Sequence, residues 1–213
     1  MISEQASLWQ EVADNLLPCD GAAEYHPKLF SHSESFDLFK ELFCTISWEQ
    51  DEVVLFGQRR ILSRKMAWMG DGSFCYSYAG SSKTATPWTP AVLRIKERIE
   101  KRSARHFNSC LLNLYHNGME GMGWHSDDEK TLGKNPVIAS VSFGAERVFR
   151  LKHRISKEVV SVILEHGSLL VMKGATQHHW VHAMPKTKKI ITPRINLTFR
   201  TFEHQGMASQ SLF

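Results

Sequence analysis

Residues 193–200 read PRINLTFR, and their alternation is strict. Ile195, Leu197 and Phe199 fall on one face of an extended chain. Arg194, Asn196, Thr198 and Arg200 fall on the other, because successive strand side chains point to opposite sides. Such a strand either faces solvent or lines a barrel whose interior is polar because it holds an anion. Arginine grips a carboxylate through two parallel N–H donors, so the second alternative points to a carboxylate ligand. LLNLYHNG repeats the pattern, with Asn113 and Tyr115 on one face and Leu112 and Leu114 on the other.

Further short strands lie between these two. NSCLLNLY, PVIASVSF, RVFRLKH, EVVSVILE and GSLLVM follow one another from residue 108 with turn residues between them. Several short strands at regular spacing predict a sandwich or barrel. Two helical patterns precede them. Residues 34–46 carry Phe36, Phe39, Phe43 and Ile46 at helical spacing with Leu42 beside them, and Ser33 or Ser35 offers an N-cap. Residues 89–102 pair Thr89 as cap and Pro90 in the first turn with a stripe of Val92, Ile95 and Ile99. The expected class is mainly β with flanking helices (α+β). The polar C-terminal tail, 203–213, has no period.

A chain of 213 residues buries a full core without staples. Its four cysteines form no CxxC pair, which argues against a disulfide framework and against a cysteine zinc site. The N-terminus has early acids and no basic start, unlike a signal peptide, and no apolar run approaches membrane-spanning length. The expectation is an intracellular soluble monomer with no membrane association, cytoplasmic in a bacterium or nuclear in a eukaryote. The formal net charge is only +4, yet the cations cluster. Arg59, Arg60, Arg64 and Lys65 form one group, Lys152, His153, Arg154 and Lys157 a second, and Lys186, Lys188 and Lys189 a third. That clustering points to phosphate contacts.

GMGWHSDDEK, residues 121–130, carries the first sign of chemistry. His125 and Asp127 stand two apart and point the same way on an extended chain. QHHWVHAMP offers His178, His179 and His182 as a third donor. Two histidines and one carboxylate make the facial triad of non-haem Fe(II) oxygenases, with positions left open for cosubstrate and dioxygen. A structural zinc site would want four protein ligands, usually with sulfur.

NLYHNGMEGMGWHSDDE, IASVSFGAERVFRLKHR, HGSLLVMKGATQHHWVHAMP and PRINLTFR together resemble the AlkB family of Fe(II)- and 2-oxoglutarate-dependent dioxygenases. The likeness runs from about residue 50 to residue 202 and is nearest to the duplex-DNA repair branch. It implies a double-stranded β-helix, or jelly roll. It implies Fe(II) on His125, Asp127 and His182, the last being the final histidine of the HWxH motif. Arg200 would pair with the distal carboxylate of 2-oxoglutarate, and Arg194, Asn196, Thr198, Asn113 and Tyr115 would line its pocket. The implied reaction consumes 2-oxoglutarate and dioxygen and hydroxylates an N-methyl group of a base. The hydroxymethyl product then releases formaldehyde.

The resemblance also implies a substrate region. Residues 1–50 are read as a helical extension, 51–106 as a nucleotide-recognition region with a finger hairpin, and 107–202 as the dioxygenase core. Phe56, Gly57 and Gln58 match the finger that fills the gap left by a flipped base. Tyr76, Ser77 and Tyr78 match the base-recognition segment, and Asp128 and Glu129 match acids that face the base. A carboxylate there suits the positive charge of 1-methyladenine or 3-methylcytosine. Arg64, Lys65, Lys188 and Lys189 would contact the nucleic-acid backbone. The expected partner is alkylated DNA, double-stranded, with single-stranded DNA or RNA as the alternative.

Overall fold

In the computed structural model of the chain, the described residues are 14–55, 58–71, 75–78 and 81–203. The first half contains β1 (Ala22–His26), α1 (His32–Thr45), β2 (Glu49–Leu55), β3 (Gln58–Gly70), β4 (Cys75–Tyr78), β5 (Ser81–Thr84) and α2 (Pro90–Ser103). The second half contains β6 (Ser109–Tyr115), β7 (Met122–His125), β8 (Ile138–Gly144), β9 (Arg147–His153) and β10 (Val159–Leu164). It ends with β11 (Ser168–Lys173), α3 (Thr176–His179), β12 (Trp180–Met184) and β13 (Arg194–Arg200).

Two sheets face each other. The larger runs β1-β11-β8-β13-β6-β3-β2 and the smaller β10-β9-β12-β7, with the β4-β5 hairpin apart. Strands β6 to β13 supply four strands to each sheet, the jelly roll implied by the family resemblance and one form of the sandwich expected from the spacing of short strands. The strands β1, β2 and β3 widen the larger sheet at its edges.

The alternation in PRINLTFR decides where the cores lie. Ile195, Leu197 and Phe199 are fully buried against Leu42, Val92, Ile95 and Ile99 of the two long helices. Each such side chain contributes about 1.5–3 kcal/mol on burial. The polar reverse of the strand faces into the jelly roll. A second core, with Leu132, Ile138, Leu151, Leu164, Leu170 and Trp180, fills the interior away from that polar face.

The helix α2 matches expectation in its stripe, with Val92, Ile95 and Ile99 at 0% exposure, and Thr89 stands at its N-cap but makes no side-chain capping bond. The helix α1 departs from it in two ways. Its cap is Ser31, which accepts from the Glu34 amide while Glu34 reaches back to the Ser31 amide in a capping box. Its buried row is Ser35, Leu38 and Leu42, whereas Phe36 is 59% and Phe43 42% exposed. Both rows have helical spacing, and the aliphatic one meets the sheet.

Two close approaches hold the loops that border the site. Gly118 donates to Ile190 O and accepts from the Thr187 amide, and a Cβ there would lie 2.3 Å from Thr187 O. Arg147, 2% exposed, donates to the carbonyls of Gly118, Glu120 and Pro185. One buried guanidinium thereby ties the loop before β7 to the end of β12.

Candidate active site

Register brings the two histidines together. His182 of β12 pairs directly with His125 of β7, so their side chains lie side by side on adjacent strands. Asp127 follows β7, and its amide donates to Gln177 Oε1 at 2.9 Å. The donor atoms of His125, Asp127 and His182 all lie within 4.8 Å of one another. His178 and His179 lie on α3 and stay outside this cluster.

The geometry of the cluster suits a cation. His125 Nδ1 is 2.8 Å from Gly123 O, a carbonyl that can only accept, so the ring proton sits on Nδ1 and the lone pair on Nε2. That Nε2 lies 3.1 Å from His182 Nε2 and faces it. Burial drives His182 down to about 3, against the pull of Asp127, so its ring is neutral at physiological pH. With its proton on Nε2 the His182 ring donates to His125, and with it on Nδ1 both rings turn a lone pair to the same point. Donors this close together could hold one metal ion between them. His182 Nε2 is 3.7 Å from Asp127 Oδ2, and its ring stacks on Phe149. Burial pushes the Asp127 carboxyl up, but Arg200 and the flanking histidines outweigh it and hold the group ionised.

Two cavities meet at this cluster. The inner one is lined by Asn113, Tyr115, Ser140, Arg194, Asn196 and Thr198 among others, together with all three donors. In the strand register Arg194 stands opposite Tyr115, Asn196 opposite Asn113, and Arg200 opposite Ser109, so the two arginines occupy opposite ends of one polar face. Arg194 is buried, with its guanidinium over the Tyr115 ring and one N–H on Ser142 Oγ at 2.9 Å. Its Nε has no hydrogen-bond partner. Burial lowers its pKa to about 10, still a full cation at neutral pH. A buried cation with an unused donor at the end of a polar cavity fits an incoming carboxylate.

Arg200 does not stand where the sequence predicted. Its guanidinium donates to Asp127 Oδ1, beside the metal donors, so it holds the ligand carboxylate rather than the far end of the cavity.

The outer cavity is lined by Asp51, Glu52, Arg64, Trp68, Glu129 and Phe202, and shares His125, Asp127 and Arg200 with the inner one. Glu129 lines this cavity, whereas Asp128, expected beside it, turns outward towards Arg154 at 3.7 Å. Arg64, expected on the nucleic-acid backbone, is instead buried, with an N–H 2.6 Å from Asp51 Oδ2. The two residues sit on the paired strands β2 and β3, and their charges compensate each other inside the cavity wall. Lys65 is half-buried, while Gln58, Lys188 and Lys189 are exposed. Phe56 and Gly57 lie outside the described residues, as do the side chains of Tyr76, Ser77 and Tyr78.

Sequence reasoning missed Asp51, Glu52, Trp68 and Phe202. Their aromatic pair, with ring centroids 6.0 Å apart, flanks the acids. Ser140 and Ser142 were missed too, though ASVS in β8 puts both on one face.

A jelly roll that carries two histidines and one carboxylate beside a polar cavity is the architecture of a non-haem iron oxygenase. The sequence profile of the 2OG-Fe(II) oxygenase superfamily matches residues 22–200. The chain is 36% identical to the DNA oxidative demethylase ALKBH2 of Mus musculus over 203 residues, which span 90% of this chain and 83% of the mouse protein. It is 38% identical to the alpha-ketoglutarate-dependent dioxygenase alkB homolog 3 of Bos taurus, over 82% of this chain and 64% of the bovine one. The solved structure of OsALKBH1 superposes with a TM-score of 0.60 at 18% identity, covering 84% of this chain and 97% of the other, a likeness of fold. The chain belongs to the 2OG-Fe(II) oxygenase superfamily and, within it, to the AlkB family. It is an Fe(II)-dependent dioxygenase whose cosubstrates are 2-oxoglutarate and dioxygen. No helix among the described residues is long and apolar enough to cross a membrane.

Proposed function

We propose that this protein is an oxidative demethylase that repairs alkylated DNA bases such as 1-methyladenine and 3-methylcytosine. The observation that carries it is the junction of two cavities at the His125–Asp127–His182 cluster, one ending on a buried arginine and the other walled by acids and aromatic rings. The relatives named DNA oxidative demethylase support the same substrate class.

In this reading His125, Asp127 and His182 hold Fe(II). Arg194 takes the distal carboxylate of 2-oxoglutarate, and Asn113, Tyr115, Asn196 and Thr198 shape the cavity around it. Arg200 fixes the orientation of the Asp127 carboxylate. Iron with its cosubstrates supplies the oxidising power, so that 2-oxoglutarate becomes succinate and carbon dioxide while the substrate methyl gains an oxygen atom. The remaining work belongs to the outer cavity. Glu129 and Glu52 favour a base whose methyl group has made it cationic. Trp68 and Phe202 give flat surfaces to a base taken out of its stack. Tyr76, Ser77 and Tyr78 add base contacts, and Lys65, Lys188 and Lys189 meet the phosphates.

Double-stranded DNA is the proposed form of the substrate, with Phe56, Gly57 and Gln58 as the finger, and the enzyme acts as an intracellular monomer. The test uses oligonucleotides carrying 1-methyladenine in duplex DNA, single-stranded DNA and RNA, with and without 2-oxoglutarate. The expected result is 2-oxoglutarate-dependent loss of the methyl mass from DNA, with Phe56→Ala slowing the duplex reaction most. Demethylation of RNA alone would overturn the DNA assignment. An unchanged duplex rate in a folded Phe56→Ala variant would overturn the finger.

A further inference from the structure

A second set of converging donors lies outside the active site. Cys19 and Asp20, in the turn before β1, meet His153 at the end of β9, and their donor atoms lie within 4.8 Å of one another. His153 is separated from the adjacent Cys19 and Asp20 by well over half the chain, which is why the cysteine spacing in the sequence carried no sign of the cluster.

His153 is the informative member. Its side chain is only 6% exposed, and its Nε2 makes no hydrogen bond although Asp20 Oδ2 lies 3.2 Å away. A buried ring nitrogen without a hydrogen bond calls for a partner. The ring is held from behind by Trp180, at a centroid distance of 5.0 Å, and Trp180 Nε1 also donates to Cys19 O at 3.1 Å. One indole thus positions both the histidine and the cysteine backbone. His153 Nδ1 accepts from the Ser156 amide at 3.1 Å, which places the ring proton on Nε2 towards Asp20; a cation on Nε2 shifts that proton to Nδ1, where the Ser156 hydroxyl at 3.0 Å accepts it.

We propose that Cys19, Asp20 and His153 bind a borderline-soft divalent cation, zinc in type, with solvent in the fourth position. A thiolate and a carboxylate balance the charge of a divalent ion, and the neutral imidazole completes three of the four positions of a tetrahedral site. Sulfur separates this site from the iron cluster, whose donors are nitrogen and oxygen only. Binding replaces the thiol proton with the cation and pins the turn before β1 to the end of β9. Cys19 and Asp20 are exposed, so the site opens directly to solvent.

Cobalt(II) reports sulfur ligation directly, through a thiolate-to-metal absorption in the near ultraviolet that nitrogen and oxygen donors do not give. The full-length metal-free protein, titrated with Co(II), is expected to develop this band. Cys19→Ser and His153→Ala abolish it, and Cys44→Ser leaves it in place. Equilibrium dialysis against zinc is expected to show two ions per wild-type chain and one per Cys19→Ser chain. Because Cys19 is exposed, its replacement by serine leaves the fold intact and the comparison valid. No band in the wild type, a band that persists in Cys19→Ser, or equal zinc content in the two proteins would overturn the assignment.

Discussion

Arg200 donates to Oδ1 of Asp127, while Oδ2 of the same carboxylate faces His182. In the proposed reading the arginine therefore acts on the metal through its ligand. Groups in this position usually cost 10–100-fold in metal affinity or activity when removed. Arg200→Ala is expected to weaken Fe(II) binding by about that factor, with Arg200→Lys intermediate because it keeps the charge without the planar fork. Equilibrium dialysis with Fe(II) checks this, and unchanged iron affinity in Arg200→Ala would contradict it.

Arg194 answers to a different ligand. In the proposed reading, its buried Nε and its distance along the strand from Arg200 give it the cosubstrate carboxylate. Losing one partner of a buried ion pair costs roughly 3–5 kcal/mol, about 150-fold or more in affinity. Arg194→Met, similar in length but uncharged, is expected to raise the KM for 2-oxoglutarate by at least that order while iron affinity stays near wild type. Titration of the iron–2-oxoglutarate charge-transfer absorption separates the two.

These two arginines also mark how far the sequence could be read. Period-two alternation placed Arg194, Asn196, Thr198 and Arg200 on one face, and that face does look inward. Alternation says nothing about which end of a strand meets the metal. That depends on the pairing of Arg200 with Ser109 and of Arg194 with Tyr115, a long-range register. The same limit explains Arg64. A cluster of cations was visible, but its buried partner, Asp51, sits on the neighbouring strand of a hairpin. His125, Asp127 and His182 were recognisable because HxD and HWxH are local patterns. Trp68 and Phe202 were not, because nothing local ties them to one cavity.

Glu129 and Asp128 are adjacent in sequence and opposite in setting. Glu129 faces the outer cavity, and Asp128 points to Arg154 at the surface. Glu129→Gln is expected to lower kcat/KM on cationic 1-methyladenine about tenfold, the order of one charge interaction in a partly screened site. Its effect on a neutral lesion such as 3-methylthymine should be small. Asp128→Asn should change neither. Equal losses on both lesions would remove charge recognition from Glu129.

The helix α1 gives a prediction about stability. Ser31→Ala removes the side-chain half of the capping box and is expected to cost about 1 kcal/mol in urea denaturation. Glu34 is held below its ordinary value, first by the Ser31 amide, then by the Ser31 hydroxyl and by Arg98. A carboxylate lowered in the folded state stabilises above its unfolded pKa, and that contribution fades as pH falls through the folded value. The stability gap between wild type and Glu34→Gln should therefore be present at pH 7 and shrink below about pH 4.

The central claim is that the His125–Asp127–His182 cluster drives oxidative demethylation of alkylated DNA. The most direct measurement follows formaldehyde and succinate together, using a 1-methyladenine oligonucleotide, Fe(II) and 2-oxoglutarate. The account predicts that both products form one for one, that neither forms without iron, and that Asp127→Ala forms neither. Iron-loaded, folded protein that releases no formaldehyde from methylated DNA would contradict it.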